Sequence, residues 1–142
     1  MLNDIIAVLA LVTVFVAFYT DMKDRIIPNR LTYPMIVIGI AFYLVVGAYQ
    51  QDILLAIMGG LWAAIAFGIG YGMWYIGGWA GGDVKLYTAL GALMAGFNAA
   101  ELQYLPEGLG IEYIPAPYPF PITILLNAVI CLAPVIFIYV LV

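Results

Sequence analysis

The sequence predicts an all-α protein, a polytopic transmembrane bundle of about five helices. Of its 142 residues, 67% are hydrophobic and only 8% are charged, whereas a soluble domain carries roughly a quarter of its residues as charges. The apolar residues also fall into long runs, each close to the roughly 20 residues that cross a bilayer as a helix. The chain therefore requires a lipid bilayer as its solvent, and we expect residues 1–142 to form a single transmembrane domain.

Apolar runs define the expected spans in order. They cover approximately residues 5–20, 31–49, 53–76, 84–99 and 122–142. The first run is expected to be retained rather than cleaved as a signal peptide, because its basic residues follow it instead of preceding it. Since Val142 ends the last run without a polar or basic flank, we expect the natural chain to continue beyond it.

The third run is rich in glycine, which lets helix backbones approach each other closely in lipid. Its glycines are Gly59, Gly60, Gly68, Gly70 and Gly72. Gly68 and Gly72 form a G-x-x-x-G pattern, so we expect this face to pack against another helix.

The basic residues predict the orientation of the helices. If residues 21–30 are cytoplasmic, alternation places residues 77–83 on the same side and residues 50–52 and 100–121 outside. All four Lys and Arg residues then lie at the cytoplasmic face, as the positive-inside bias predicts. We therefore expect a multi-pass protein of the cytoplasmic membrane with its N-terminus outside. The Pro- and Tyr-rich segment 100–121 is expected to be an irregular outer loop.

Composition excludes several classes of function. A net charge of -4 with only four basic residues does not supply the clustered Lys and Arg that nucleic-acid binding requires. The chain has no His and one Cys, Cys131, so a Ser-His nucleophile, a His-ligated metal and an internal disulfide are all unavailable to it. We expect no metal and no cofactor.

Carboxylates are the remaining groups with chemistry at the predicted cytoplasmic face. Asp21 follows the first run, Asp24 lies one helical turn further on, and Asp83 begins the fourth run. Acidic groups near the hydrocarbon are costly and are commonly functional. When two lie close together, one holds a proton while the other takes a proton from water, as in aspartic proteases. On spacing alone, helix caps and interface charges explain these residues equally well.

The local sequences around two of these aspartates favour the catalytic interpretation. Residues 21–29 read D-M-K-D-R-I-I-P-N, and residues 80–85 read A-G-G-D-V-K. They resemble the type IV prepilin peptidases and their archaeal relatives that process preflagellin (archaellin), whose patterns are D-x-[KR]-x-x-x-I-P-N and G-x-G-D. Ala80 stands where the first Gly of the second pattern is usual. The resemblance covers both motifs and their separation, from about residue 15 to residue 95.

The resemblance implies an aspartic-type endopeptidase with Asp21 and Asp83 as its catalytic pair. Asp24 is then expected to steer the basic leader of the substrate. The supporting motif residues are Lys23, Pro28, Asn29, Gly81, Gly82 and Lys85. The substrates implied are prepilin-like or archaellin-like precursors, whose short basic leader stays cytoplasmic while a hydrophobic helix follows the scissile bond.

The supporting residues also have physical interpretations. Pro28 and Asn29 are expected to begin the second helix, with Asn able to cap it. Gly81 and Gly82 are expected to let the chain turn tightly, so that Asp83 points back towards Asp21. The basic residues are explained first by topology and second by contacts to substrate or to the aspartates; they are Lys23, Arg25, Arg30 and Lys85.

Alternatives remain open on sequence alone. The segment after the first run is short and lacks Cys, so the resemblance favours a peptidase-only, archaeal-type form. Family members usually have six or more spans, whereas about five are expected in these 142 residues. A presenilin-like protease that cuts helices within the bilayer shares the paired aspartates, although the I-P-N sequence argues against it. A small ion- or proton-coupled transporter would use the same aspartates to coordinate ions. A structural membrane subunit would tolerate replacement of both Asp21 and Asp83. The oligomeric state is not predicted.

Overall fold

The computed structural model describes residues 2–97 and 120–141, and all regular secondary structure in these ranges is helical. The helices are α1 (Leu2–Asp24), α2 (Asn29–Gln50), α3 (Ile53–Tyr75), α4 (Gly81–Leu93) and α5 (Phe120–Leu141). The chain divides into two compact units, Met1–Phe97 with α1 to α4, and Asn98–Val142 with α5. The predicted all-α class is confirmed, whereas the single domain stays a prediction. Nearly all of the expected outer loop, and any continuation after Val142, lie outside the described residues.

Three helices in the described part of the chain are long and apolar enough to cross a membrane. They comprise Asp4–Asp24, Asn29–Gln50 and Ile53–Tyr75. At 21 to 23 residues each, they extend about 32 to 35 Å, which matches the roughly 30 Å of bilayer hydrocarbon. Their outer surfaces carry large exposed apolar side chains such as Phe15, Phe18 and Phe67. Lipid is the solvent that accommodates such a surface, and the chain is a membrane protein.

Helix α4 differs from the predicted fourth span. The sequence predicted a span over residues 84–99, but the helix has only 13 residues and a length of about 20 Å. Residues 87–95 are all buried, and α4 packs against α1, α2 and α3. It is therefore the core helix of this unit, and it is shorter than the predicted span. Hydropathy alone did not predict this burial, because a helix buried in protein and a helix exposed to lipid are equally apolar.

Glycines allow α4 to lie very close to its neighbours. A Cβ on Gly39 of α2 would lie 2.6 Å from the carbonyl carbon of Ala92 in α4. On the other side, a Cβ on Gly91 would lie 2.6 Å from the Ala66 Cβ and 2.8 Å from the Trp62 carbonyl oxygen in α3. Backbones approach this closely in lipid only where side chains are small, so α4 is held between α2 and α3 at these two glycines.

The glycines of α3 pack differently from the prediction. A Cβ on Gly68 or Gly72 would meet no described atom within 4 Å, so within the described residues their G-x-x-x-G pattern forms no helix contact. The close positions are Gly59 and Gly70, which are buried. A Cβ on Gly70 would lie 3.2 Å from the Val84 backbone. Within the described residues the close helix contacts of α3 are therefore made by other glycines, and the packing of the G-x-x-x-G pair stays a prediction.

A side chain from α2 caps the carboxyl end of α4. The Tyr43 hydroxyl donates to the Leu93 carbonyl at 3.1 Å and accepts from the Gly96 amide N–H at 2.9 Å. Tyr43 is buried and belongs to a candidate membrane span. Irregular backbone at membrane depth needs partners inside the protein, and Tyr43 supplies them for the turn that follows α4.

We expect Tyr43→Phe to lower the free energy of unfolding by about 1–3 kcal/mol, because it leaves the half-buried Gly96 N–H and the buried Leu93 C=O without their partner. The measurement is denaturant or thermal unfolding of the detergent-solubilised protein. Tyr49→Phe is the matched control, since Tyr49 is 89% exposed on the same helix. Equal stabilities for the two variants would show that the hydroxyl does not hold the end of α4.

Candidate active site at one end of the bundle

Three helix ends meet around a single pocket: the carboxyl end of α1 and the amino ends of α2 and α4. The pocket has a volume of about 410 Å³. It is lined by residues 25–29 of the α1–α2 connection and residues 80–83, together with Asp21 and Lys85. The fold therefore brings both sequence motifs to one place, although they are separated by more than fifty residues along the chain.

Asp21 lies in the last turn of α1, just before the chain reverses. The reversal occurs at Arg25, which has a φ of 53° and whose amide N–H donates to the Asp21 carbonyl at 2.9 Å. A left-handed conformation at a residue other than glycine costs roughly 1–2 kcal/mol. Among the described residues, the Asp21 carboxylate has no hydrogen-bond or ion-pair partner, and the side chain is exposed. This carboxylate is therefore open to water and to a ligand.

Asp83 lies in the first turn of α4, as the sequence predicted. Its Oδ2 atom accepts a hydrogen bond from the Ala80 amide N–H at 3.0 Å. Ala80 is the N-cap residue of α4 and has no side-chain oxygen of its own, so the Asp83 carboxylate satisfies one of the free amide groups at the helix start. The bond orients this carboxylate, whereas no such bond orients the Asp21 carboxylate.

The glycines before Asp83 do not form the tight turn that the sequence predicted. Gly81 and Gly82 are the first residues of α4, and the positive φ of 81° in this connection belongs to Gly77. A Cβ on Gly82 would lie 3.2 Å from the Ile27 Cβ. Gly82 therefore allows α4 to approach the α1–α2 connection, which sets the separation of the two motif segments. A G-G pair is equally compatible with a turn and with a close approach, so sequence alone did not separate them.

The side chain of Asn29 is also used differently from the prediction. Pro28, not Asn29, is the N-cap residue of α2, and no side chain caps this helix. The Asn29 Oδ1 atom instead accepts from Lys85 Nζ at 2.7 Å, and the same Nζ lies 5.7 Å from the centre of the Tyr33 ring. Sequence reasoning missed this contact because it joins residues far apart in the chain and has no local signal.

Not every predicted site residue lines the pocket. Lys23 and Asp24 are exposed and lie outside its lining, so their roles stay predictions. Arg25, which the sequence analysis assigned first to topology, does line it. The pocket thus contains two carboxylates, Asp21 and Asp83, and two cations, Arg25 and Lys85.

A carboxylate can accept a proton from water and a carboxyl group can donate one, so two such groups lining one pocket can serve as a general base and a general acid. Within residues 2–97 and 120–141, no three side chains of the usual metal-ligating types come together. Fold and pocket together define a polytopic helical membrane protein with a pocket at one end of its bundle that contains two carboxylates and two cations.

Comparison with known proteins identifies the family. Residues 8–136 match the type IV leader peptidase family, and the chain belongs to that family. The family prediction made from the two motifs is therefore confirmed. No solved structure matches the chain.

Two curated relatives are named as peptidases of prepilin and preflagellin. The chain is 37% identical over 132 residues to prepilin peptidase EppA of Methanothermobacter thermautotrophicus, an alignment that covers 93% of the chain and 34% of the relative. It is 29% identical over 128 residues to the preflagellin peptidase of Methanocaldococcus jannaschii, covering 90% of the chain and 52% of the relative. The chain thus spans between a third and about half of the length of these relatives.

Proposed function

We propose that this chain is a membrane aspartic endopeptidase that removes the leader from prepilin-like or preflagellin-like precursors. The single observation that carries the proposal is the convergence of both motif aspartates, Asp21 and Asp83, on one pocket. Membership of the type IV leader peptidase family supports this reaction over ion or proton transport. The names of the two relatives support the two precursor classes.

In the proposed reaction, the carboxylate of one aspartate takes a proton from a water molecule. The water oxygen then forms a bond to the scissile carbonyl carbon, while the protonated carboxyl of the other aspartate gives its proton to the carbonyl oxygen. Return of a proton to the amide nitrogen lets the C–N bond break. The products are a leader with a new carboxyl group and a mature protein with a new amino group.

The charge distribution supports a pocket at the cytoplasmic face. Arg25 and Lys85 line the pocket. Lys23 lies in the last turn of α1 and Arg30 lies in the first turn of α2, and both of these helix ends border the same pocket. Because all basic residues of the chain belong to this end, the positive-inside bias favours a cytoplasmic orientation with the N-terminus outside. A precursor whose leader remains in the cytoplasm then reaches the pocket directly. Exposed Asp24 is the proposed contact for the basic leader.

The test is incubation of the purified full chain with one prepilin-like and one preflagellin-like precursor, followed by mass spectrometry of the products. We expect a single cut after the leader in at least one precursor. Cleavage should continue with a metal chelator present, because the chain has no His and a single Cys. No shortened product from either precursor would refute the proposed function. Cuts inside the hydrophobic helix would instead indicate a presenilin-like protease.

A further inference from the structure

Lys85 joins the two motif segments of the pocket. Its Nζ donates to Asn29 Oδ1 at 2.7 Å and lies 5.7 Å from the centre of the Tyr33 ring. Asn29 and Tyr33 belong to the first turns of α2, while Lys85 follows Asp83 by two residues in α4. The contact therefore connects the segment after Asp21 with the segment that carries Asp83. Lys85 makes this contact in place of a hydrogen bond to either aspartate.

The chemistry of Lys85 determines which way the Asn29 amide faces. An ammonium group has three donors and no acceptor, so only the oxygen of the Asn29 amide can face it. The Nδ2 group, with its two hydrogens, is then directed to the other side of the amide. Among the described residues no acceptor takes these hydrogens. Asn29 nevertheless lines the same pocket as both aspartates.

We propose that Lys85 is a positioning residue that fixes the Asn29 amide so that Nδ2 donates a hydrogen bond to a main-chain carbonyl of the bound precursor. This inference rests on the proposed function, because it requires a peptide in the pocket. A neutral donor suits a peptide carbonyl, since it binds the backbone without selecting a particular side chain. The interaction holds the precursor chain beside Asp21 and Asp83 and takes no part in the proton transfers.

The test measures precursor affinity in a background that cannot cut the substrate. Asp21→Asn serves as the parent, because the Asp21 carboxylate makes no hydrogen bond with the described residues. Asn29→Asp, Lys85→Met and Lys85→Arg are added to this parent in the full detergent-solubilised chain. The dissociation constant of a fluorescent precursor is then measured by anisotropy. Arg30→Met is the matched control, since Arg30 is an exposed basic residue next to Asn29 that does not line the pocket.

Asn29→Asp is the decisive variant. It keeps an oxygen that accepts from Lys85, so the link between α2 and α4 survives, but it removes the Nδ2 donor. We expect it to raise the dissociation constant about tenfold, the value of one good hydrogen bond. Lys85→Met, which frees the amide to rotate, should raise it by about threefold, and Lys85→Arg and Arg30→Met by less than about twofold. Thermal unfolding of each variant checks that the fold is retained.

Defined results would overturn the inference. If Asn29→Asp binds the precursor within twofold of the parent, the link has only a structural role. If Arg30→Met weakens binding as much as Lys85→Met, the effect is one of overall charge. Cleavage by the wild-type protein is assayed in parallel to distinguish failure of this inference from failure of the proposed function. If the wild-type protein cleaves neither precursor, the proposed function and this inference are both refuted. If it cleaves normally and Asn29→Asp leaves precursor binding unchanged, the inference alone is refuted.

Discussion

Asp21→Asn and Asp83→Asn are each expected to reduce precursor cleavage by at least about a thousandfold, because the proposed reaction needs one group that accepts a proton and one that donates it. An amide does neither at neutral pH. Both residues line the same pocket, so the loss of activity should appear in kcat. The measurement is the rate of formation of the shortened precursor, with thermal unfolding of each variant recorded alongside it.

Asp24→Asn provides the matched control for these variants. It makes the same chemical change three residues from Asp21, but Asp24 is exposed and does not line the pocket. We expect it to retain most of the activity and to show its effect in KM, as a contact to the leader would. An indispensable Asp24 beside a dispensable Asp21 would mean that the catalytic aspartate of the first motif has been misassigned.

The two aspartate variants should differ in stability even though both are inactive. Asp83 Oδ2 accepts from the Ala80 amide N–H at the start of α4, whereas the Asp21 carboxylate has no such bond among the described residues. An Asn side chain at position 83 still offers an oxygen to that N–H, but it loses the interaction of a negative charge with the helix dipole. Any destabilisation is therefore expected in Asp83→Asn and not in Asp21→Asn.

Much of the fold and of the candidate site was predictable because the relevant signals are local in sequence. Runs of apolar residues fixed α1, α2 and α3 to within a few residues, since bilayer thickness dictates their length. Asp21 and Asp83 were found through short motifs. The pairing of Asn29 with Lys85 was not predictable, because it depends on how α2 and α4 pack, and neither residue has a neighbour in sequence that signals the other.

Burial was the second property that sequence could not provide. Both α4 and the three longer helices have apolar sequences, so hydropathy did not reveal that α4 is short and enclosed by protein. The glycines had the same ambiguity: Gly68 and Gly72 match the expected pattern, yet Gly59 and Gly70 are the buried ones on α3. Which glycine lies at a helix crossing depends on the crossing itself, a tertiary property.

Gly39→Val is expected to lower the free energy of unfolding by about 3 kcal/mol or more, through overpacking against a backbone that cannot rotate away. A Cβ at this position would lie 2.6 Å from the Ala92 carbonyl carbon and 2.8 Å from the Leu93 amide nitrogen. Both atoms belong to the backbone of α4, so α2 and α4 must separate to make room. Separation would also stretch the hydrogen bond from Tyr43 to Leu93.

Gly60→Val is the matched control for Gly39→Val, because a Cβ on Gly60 would meet no described atom within 4 Å. Both variants place the same β-branched residue in a helix that spans the membrane, so the difference in unfolding free energy isolates the contact with α4. Since α4 also carries Asp83, the Gly39 variant should lose cleavage activity together with stability. Equal stability of the two variants in detergent or lipid would mean that α2 and α4 do not approach each other at Gly39, and the position of α4 as the core helix would have to be abandoned.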